Sequence, residues 1–264
     1  MPDAERAASE DVMMSREALP AAAVDEYLAD LDRLIAAHDP LRQDKVIPAI
    51  CNGTASREVV QRAALEYYYL GKWMTPEFAL LVANAPDTYA FTMEASAHYH
   101  HWVRNFADET GYLRDPNHVQ MKIESCRQLG LTDDDIRDYR PLPETIATTF
   151  TMLYYARRSY EEGIAVLGYV GEQVAGSGYP KTFFDGLERH YGVRMRAFEG
   201  HPYAETHHGD RAAGLFRLVA TTRAVQERCR EAIRNCILVA ETRVRAMNRW
   251  VELTVPGPPA HTVD

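Results

Sequence analysis

The 264-residue sequence lacks the features that mark several large protein classes. It has no uncharged apolar run of about eighteen residues, which a membrane-spanning helix would need. Its start lacks the basic residues and apolar stretch of a signal peptide. The 29 lysines and arginines are outnumbered by 38 aspartates and glutamates, and the formal charge is -9. Because no cationic field is available to hold phosphates or an anionic membrane, we expect no nucleic-acid or membrane partner. From the missing membrane span and signal peptide we expect a cytoplasmic protein.

Cysteine is also scarce, and its spacing is uninformative. The four cysteines contain no C-x-x-C pair, so the sequence signals neither a thiolate zinc site nor a disulfide framework. We expect buried or idle thiols at Cys51, Cys126, Cys229 and Cys236.

Strand-like alternation of β-branched residues is nearly missing, whereas apolar residues recur with helical periodicity along most of the chain. We therefore predict an all-α bundle of about seven to nine helices. The length suits one domain at 20–252, with a disordered segment at 1–19 and a flexible, proline-rich tail at 253–264. The expected helices cover 24–37, a segment from a cap at Thr54 or Ser56 to Asn84 with one break near Pro76, 88–107, 117–128, 143–158, 160–175, 180–191, a short one after His201, and 211–251.

Three potential metal ligands share one helix face in the segment FEGHPYAETHHGD. His201, Glu205 and His208 are spaced at i, i+4 and i+7, and about 100° per residue places them in one narrow stripe. Pro202 is tolerated if the helix begins near His201. An amphipathic helix that carries histidines by chance is the alternative. Three ligand-type residues in register favour a metal site.

Glu109 and His118 form a second carboxylate–imidazole pair. Nine residues on an unbroken helix would place them on opposite sides, but Gly111 and Pro116 interrupt the chain, so the two side chains can converge. Glu172 is a third carboxylate, within the apolar run IAVLGYVGEQVAG, where burial is costly unless the group is paired or binds a metal. An exposed position is the alternative for Glu172.

These residues amount to three carboxylates and three imidazoles, a set that implies two metal ions bridged by carboxylate. Hard oxygen and borderline nitrogen donors suit iron or manganese, and the lack of thiolates argues against structural zinc. The paired Glu-x-x-His motifs of ferritin-like bundles are missing. The predicted ligands are Glu109, His118, Glu172, His201, Glu205 and His208.

The order of these motifs resembles the haem-oxygenase-like di-iron oxidases and oxygenases. The shared pattern is NFADETG, a histidine nine residues after its glutamate, LGL at 129–131, a buried glutamate, HYGV, and F-x-x-H-x-x-x-E-x-x-H. It extends from about Leu31 to Trp250. The family more often carries aspartate at the position of Glu205, a conservative departure that should still bind metal.

The resemblance implies a bundle around a central cavity, two iron ions, dioxygen as co-substrate and an external electron donor. Family members diverge into those that oxygenate amine or guanidine nitrogens and those that cleave C–C bonds of fatty or amino acids. The N-oxygenating members tend to supply a further carboxylate from the first core helix, and Glu77 is the candidate here. An ordinary first-turn acid after Pro76, favoured by the helix dipole, is the alternative for Glu77.

We therefore expect a non-haem di-iron oxygenase of natural-product biosynthesis that N-oxygenates an amine or guanidine-like nitrogen of a small molecule. The first alternative is a di-iron oxidase that fragments a fatty or amino acid, with Arg157 or Arg223 as anchor for the substrate carboxylate. The second is a cofactorless oxidase with acid–base histidines. The segment NGTASREVVQRAALEYYYLGKW is similar to the cofactorless pyrroloquinoline-quinone synthases, which share the fold. The oligomeric state, a homodimer included, is left open.

Overall fold

The computed structural model describes residues 17–85, 93–113, 116–171, 181–194 and 213–254. Helices and turns make up these ranges, and they contain no β-strand, so the predicted all-α fold is confirmed. The helices are α1 (Ala21–Ala37), α2 (Val46–Cys51), α3 (Arg57–Gly71), α4 (Met74–Ala83), α5 (Met93–Glu109), α6 (His118–Gln128), α7 (Asp133–Arg137), α8 (Pro143–Arg158), α9 (Tyr160–Gly163, continuing as a π-helix over Ile164–Gly171), α10 (Lys181–Gly186, continuing as a π-helix over Leu187–Tyr191), α11 (213–219) and α12 (Arg223–Thr254).

Side-chain caps fix where several helices begin. Ser56 accepts a hydrogen bond from the backbone N–H of Val59 at 3.3 Å, which makes it the N-cap of α3, one of the two residues proposed from the sequence. Asn117 and Thr132 form capping boxes at the starts of α6 and α7. Each cap satisfies an N–H group that has no partner within its helix.

The predicted helix at 211–251 is wrong in one respect, because the chain leaves the helix between α11 and α12. The Thr222 side chain accepts a hydrogen bond from the Val225 N–H at 3.3 Å and so starts α12 anew. The Thr221 carbonyl accepts instead from the backbone N–H of Leu19, at 2.7 Å. Residues distant in sequence therefore stabilise the break.

Smaller departures from the sequence prediction concern short elements. The break expected near Pro76 falls at Lys72–Trp73, and Pro76 lies inside the first turn of α4, where its missing N–H is tolerated. The short helices α2 and α7 were not foreseen, because so few residues show no clear period.

The main hydrophobic core lies between α1, α4, α5, α8, α9, α11 and α12. The most extensive helix–helix contact in the described chain joins α12 to α8. Gly163 permits a close approach between helices, since a Cβ there would lie 2.5 Å from Cδ2 of Leu81. The long helices therefore enclose a packed interior, and α4, α5 and α6 bring their polar side chains to it.

The cysteines are free thiols, as predicted. Cys126, Cys229 and Cys236 are buried and Cys51 is half-buried. Burial, together with the nearby charge of Glu77, raises the pKa of Cys236 to about 12. Cys236 therefore carries its proton at neutral pH in the metal-free protein.

No helix in the described parts of the chain combines the length and the apolar character needed to cross a membrane. Even α12, the longest at 32 residues, carries arginines and glutamates along its length.

Candidate metal centre

Glu109 and His118 meet across the break between α5 and α6. Nδ1 of His118 lies 2.8 Å from Oε1 of Glu109, and both side chains are largely buried, with 17% and 12% exposed. Gly111 and Tyr112 have positive φ angles of 64° and 49°, which turn the chain back on itself after α5. A Cβ at Gly111 would lie 3.1 Å from backbone atoms of Pro116 and Asn117, so this close approach favours glycine. The convergence expected from the sequence is therefore observed.

The first residue of α6 is His118 itself, and the cap before it fixes its position. The Asn117 side chain accepts from the Gln120 N–H at 2.8 Å, and the Gln120 side chain accepts from the Asn117 N–H at 2.9 Å. With Glu109 ionised, the Nδ1–H of His118 donates to it, because an ionised carboxylate only accepts hydrogen bonds. A histidine held in this way presents its other ring nitrogen, Nε2, to a metal.

Glu77 is the most buried of the predicted ligands in the described chain. It lies in the first turn of α4, as an ordinary helix-start acid would, but its exposed fraction is only 1%. Its Oε2 atom is buried and receives no hydrogen bond from the described residues. Burial raises the pKa of Glu77 well above its usual value, and the negative charge of Glu109 raises it further.

Lys122 is a buried lysine whose charge partly offsets the rise in the pKa of Glu77. It lies four residues after His118 on α6, and residues with this spacing are neighbours on a helix surface. Its ammonium lies 4.9 Å from the ring centre of Tyr67. A Cβ on Gly71 would come within 2.1 Å of the Lys122 Nζ atom, so the missing side chain at Gly71 provides the space that the ammonium occupies.

Aromatic rings surround the same part of the core. Phe78, next to Glu77, stacks on Trp102 with ring centres 5.9 Å apart. The fully buried Trp102 indole donates a hydrogen bond to the Tyr160 hydroxyl at 3.0 Å, and His101 packs edge-on against the indole at 4.5 Å. These rings exclude water, and their low polarity strengthens electrostatic interactions between the carboxylates and any cation.

Two other carboxylates are equally buried but have local partners. Glu66 accepts hydrogen bonds from the Tyr139 hydroxyl at 2.5 Å and from the Leu142 N–H at 2.8 Å. Glu162 accepts from Ser159 at 3.1 Å and pairs with Arg158 at 3.4 Å. Both carboxylates stabilise loops or helix starts, so burial alone does not identify a metal ligand.

Four of the predicted ligands, Glu172, His201, Glu205 and His208, lie outside the described residues. Among the residues that are described, no group of three or more histidine, cysteine, aspartate or glutamate side chains is placed to hold a metal ion. Glu109 and His118 are in direct contact, with Glu77 interacting electrostatically nearby. Their role as ligands remains a prediction. Arg157 and Arg223, the anchors considered for a substrate carboxylate, are both exposed.

The sequence of residues 62–241 matches the profile of a protein family described as iron-containing redox enzymes. The chain belongs to this family. The match includes every predicted ligand, from Glu77 to His208. No curated protein matches the sequence.

Solved structures support the fold of this member of the family. A domain of unknown function with a haem-oxygenase-like fold from Shewanella denitrificans OS217 superimposes with a TM-score of 0.66 at 16% identity, covering 90% of this chain and 98% of that one. A TenA homologue from Pseudomonas syringae pv. tomato DC3000 gives 0.67 at 14% identity, covering 83% and 92%. At such low identity these similarities show the haem-oxygenase-like fold alone.

The described residues fit an iron ion in their chemistry. Glu77 is buried beside the charge of Glu109 and has one oxygen atom unsatisfied by the described residues, so a divalent cation bound nearby would stabilise its carboxylate form. Oxygen and imidazole donors of this kind are ligands of non-haem iron. Sequence reasoning missed Lys122, because its burial depends on the space left by Gly71 on another helix, and it missed Trp102, which carries no ligand chemistry.

Proposed function

We propose that this iron-containing redox enzyme is a non-haem di-iron oxygenase that uses dioxygen and an external electron donor to N-oxygenate an amine or guanidine-like nitrogen of a small molecule in natural-product biosynthesis. The observation that carries the proposal is the convergence of Glu109 and His118 at 2.8 Å beside the fully buried Glu77. The proposed ligands are these three residues together with Glu172, His201, Glu205 and His208.

When bound, the iron supplies the binding and reductive activation of dioxygen. The side chains of the centre orient the ligands, supply charge and exclude water. Glu109 accepts the Nδ1–H of His118 and so orients the ring, while the Asn117 cap holds the start of α6 against it. Glu109, together with Glu77 once it has lost its proton, would supply the negative charge that a bound cation requires. Phe78 and Trp102 keep water from this side of the centre, which limits wasteful side reactions.

The decisive experiment is an anaerobic titration of the metal-free protein with ferrous ion, followed by a pulse of dioxygen. We expect two irons per chain by metal analysis and Mössbauer spectroscopy, and iron-dependent consumption of dioxygen. In His118→Ala, which removes one predicted ligand, we expect loss of at least one equivalent of iron and at least about a hundredfold slower dioxygen consumption.

His38→Ala is the matched control, since His38 is an exposed histidine at the end of α1. This variant should bind iron and consume dioxygen as the wild type does. Wild-type protein that takes up no iron would contradict the di-iron proposal and favour the cofactorless alternative. Uptake that is unchanged in His118→Ala would remove His118 from the ligand set.

Product analysis separates N-oxygenation from fragmentation. An N-oxygenase returns a product that keeps every carbon of its substrate, whereas the fragmenting alternative releases a shorter product. Arg157 and Arg223, the two anchors first considered for a substrate carboxylate, are exposed, which gives the fragmenting alternative no support. We therefore favour screening amines and guanidines first, with mass spectrometry of the products and labelled dioxygen as the oxygen source.

A further inference from the structure

Helix α8 leaves an apolar face exposed on the surface of the described chain. Ile146, Phe150 and Tyr154 follow one another at a spacing of four residues, which places them along one side of the helix. Leu238 of α12 lies beside them, and the four side chains are between 37% and 57% exposed. They are half of the eight large apolar side chains that the described chain exposes, and together we call them the α8 face. A contiguous apolar group of this kind marks an interaction surface, whereas scattered single residues do not.

A cleft of about 470 Å³ opens between α8 and α12 within the α8 face. Every member of the face except Ile146 lines it. The side-chain amide of Asn235 donates a hydrogen bond to the Tyr155 hydroxyl at 2.7 Å and so ties the two helices together at its floor. The cleft therefore lies between anchored helices and has room for apolar side chains of a partner.

The two ends of α8 carry opposite charges. Glu144 lies in the first turn, and Arg157 and Arg158 lie in the last turn. Arg158 pairs with Glu162 of its own chain at 3.4 Å, whereas Glu144 and Arg157 form no ion pair with another described residue. About 20 Å of helix separates Glu144 from Arg157, so the two side chains do not meet within one chain.

A second copy of this chain fits both the apolar side chains and the charges. The midpoint between Glu144 and Arg157 falls beside Phe150, in the middle of the α8 face. If two copies of α8 pack antiparallel about that point, Phe150 meets its own counterpart and Ile146 meets the partner's Tyr154. Glu144 then lies beside the partner's Arg157 at both ends of the contact. A two-fold interface requires a surface that is complementary to itself in this way.

We propose that the chain forms a two-fold homodimer through the α8 face, with Phe150 at the axis and Glu144 paired with the partner's Arg157. The inference goes beyond the proposed function and does not depend on a metal. The interface borders the candidate centre, because Phe150 packs against Trp73 with ring centres 5.7 Å apart, and Trp73 directly precedes α4. The helix that carries Glu77 therefore begins beside the dimer contact.

Sedimentation velocity of the full, metal-free chain tests the interface. We expect a dimer in the wild type and a dissociation constant at least about a hundredfold higher in Phe150→Glu, because two carboxylates would then meet at the axis. Leu218→Glu is the matched control, since Leu218 is comparably exposed but lies on α11, outside the α8 face. This variant should dimerise as the wild type does. Circular dichroism establishes that both variants are folded.

Charge reversal tests the two-fold arrangement itself. Glu144→Arg and Arg157→Glu each bring like charges together at both ends of the contact, so we expect each to raise the dissociation constant by about tenfold. The double variant restores opposite charges across the axis and should return to within about threefold of the wild type. A role of either residue within its own chain predicts no such rescue, because the two side chains are too far apart to meet there.

Three results would overturn the proposal. A wild-type chain that stays monomeric up to about 100 µM would leave the α8 face to a different protein or to a small apolar ligand. A dimer that survives Phe150→Glu would place the interface on another surface, and a double reversal that dimerises no better than the single ones would exclude the antiparallel pairing. If Phe150→Glu does not fold, Tyr154→Glu on the same face replaces it. None of these results bears on iron binding, so each leaves the proposed function intact.

Discussion

Among single residues, Asn117 determines how firmly His118 is held. Its side chain accepts from the Gln120 N–H, and the Gln120 side chain accepts in return from the Asn117 N–H, which closes the capping box directly before His118. We predict that Asn117→Ala lowers the free energy of unfolding by about 1 kcal/mol. It should also weaken manganous binding severalfold, because the first turn of α6 frays and His118 loses its fixed orientation.

Thr132→Ala is the control for this prediction. Thr132 closes a capping box of the same kind at the start of α7, where Thr132 and Asp135 bond reciprocally. The Thr132→Ala substitution should lower the free energy of unfolding by a comparable amount, measured by chemical denaturation, and leave the metal affinity unchanged. Equal metal affinities in the two variants would show that the cap stabilises the helix without positioning His118.

The sequence predicts some contacts of the candidate metal centre and not others. The pairing of Glu109 with His118 was readable, because Gly111 and Pro116 had to break the helix between them. The burial of Lys122 was not readable, since the space that receives it is created by Gly71 on a different helix. Tertiary packing determines whether a lysine side chain is buried, and the sequence of its own helix does not show it.

Buried carboxylates illustrate the same limit. The sequence suggests that a glutamate in an apolar run binds a metal, and Glu66 and Glu162 are both buried glutamates. Their partners are Tyr139 and the Leu142 backbone in one case and Ser159 and Arg158 in the other. These partners come from turns and helix starts, so a ligand prediction from burial needs the contacts as well.

At the level of helices, the break between α11 and α12 shows what periodicity overlooks. The segment LVATTRAV contains no proline or glycine, and its apolar spacing continues through the break. The Thr222 cap and the bond from the Leu19 N–H to Thr221 end one helix and begin the next. Threonine is an N-cap as well as an interior residue, so the sequence alone does not distinguish the two.

We predict that Thr222→Ala lowers the free energy of unfolding by about 1 kcal/mol, because the first turn of α12 loses its side-chain acceptor. Thr221→Ala is the matched control, since the described hydrogen bonds of Thr221 use only its backbone. It should change stability by less than half as much. Urea denaturation followed by circular dichroism measures both, and equal losses would contradict a capping role for Thr222.

Across the whole molecule, the sequence predicts the fold more completely than the chemistry. The long helices carry clear apolar periods, and α6 and α8 begin within one residue of their expected positions. Packing between α8 and α12 then follows from their amphipathic faces. The order of motifs pointed to the haem-oxygenase-like fold, and the family match and the solved structures agree with it. The chemistry of the centre depends on side chains from separate helices, which periodicity does not bring together.

Metal binding should raise the stability of the entire chain, because the carboxylates that bind a cation come from helices that must all be folded. A ligand at about a hundred times its dissociation constant adds about 2.7 kcal/mol to the free energy of unfolding. For a chain of this size that is a rise of roughly 5–10 °C in melting temperature. We predict such a rise with manganous ion in the wild type and less than half of it in Glu109→Gln, which keeps the shape of the side chain but not its charge.

Glu124→Gln is the control for this last prediction, because Glu124 is an exposed carboxylate on α6 that pairs with Arg127 at 3.8 Å on the surface. Glu124→Gln removes one negative charge from the molecule, as Glu109→Gln does. Manganous ion should nevertheless stabilise Glu124→Gln as it does the wild type. If manganous ion raises the melting temperature of Glu109→Gln as much as that of the wild type, the ion binds elsewhere. A rise lost equally in both variants would mean that net charge, and not the buried carboxylates of α4 and α5, attracts the cation.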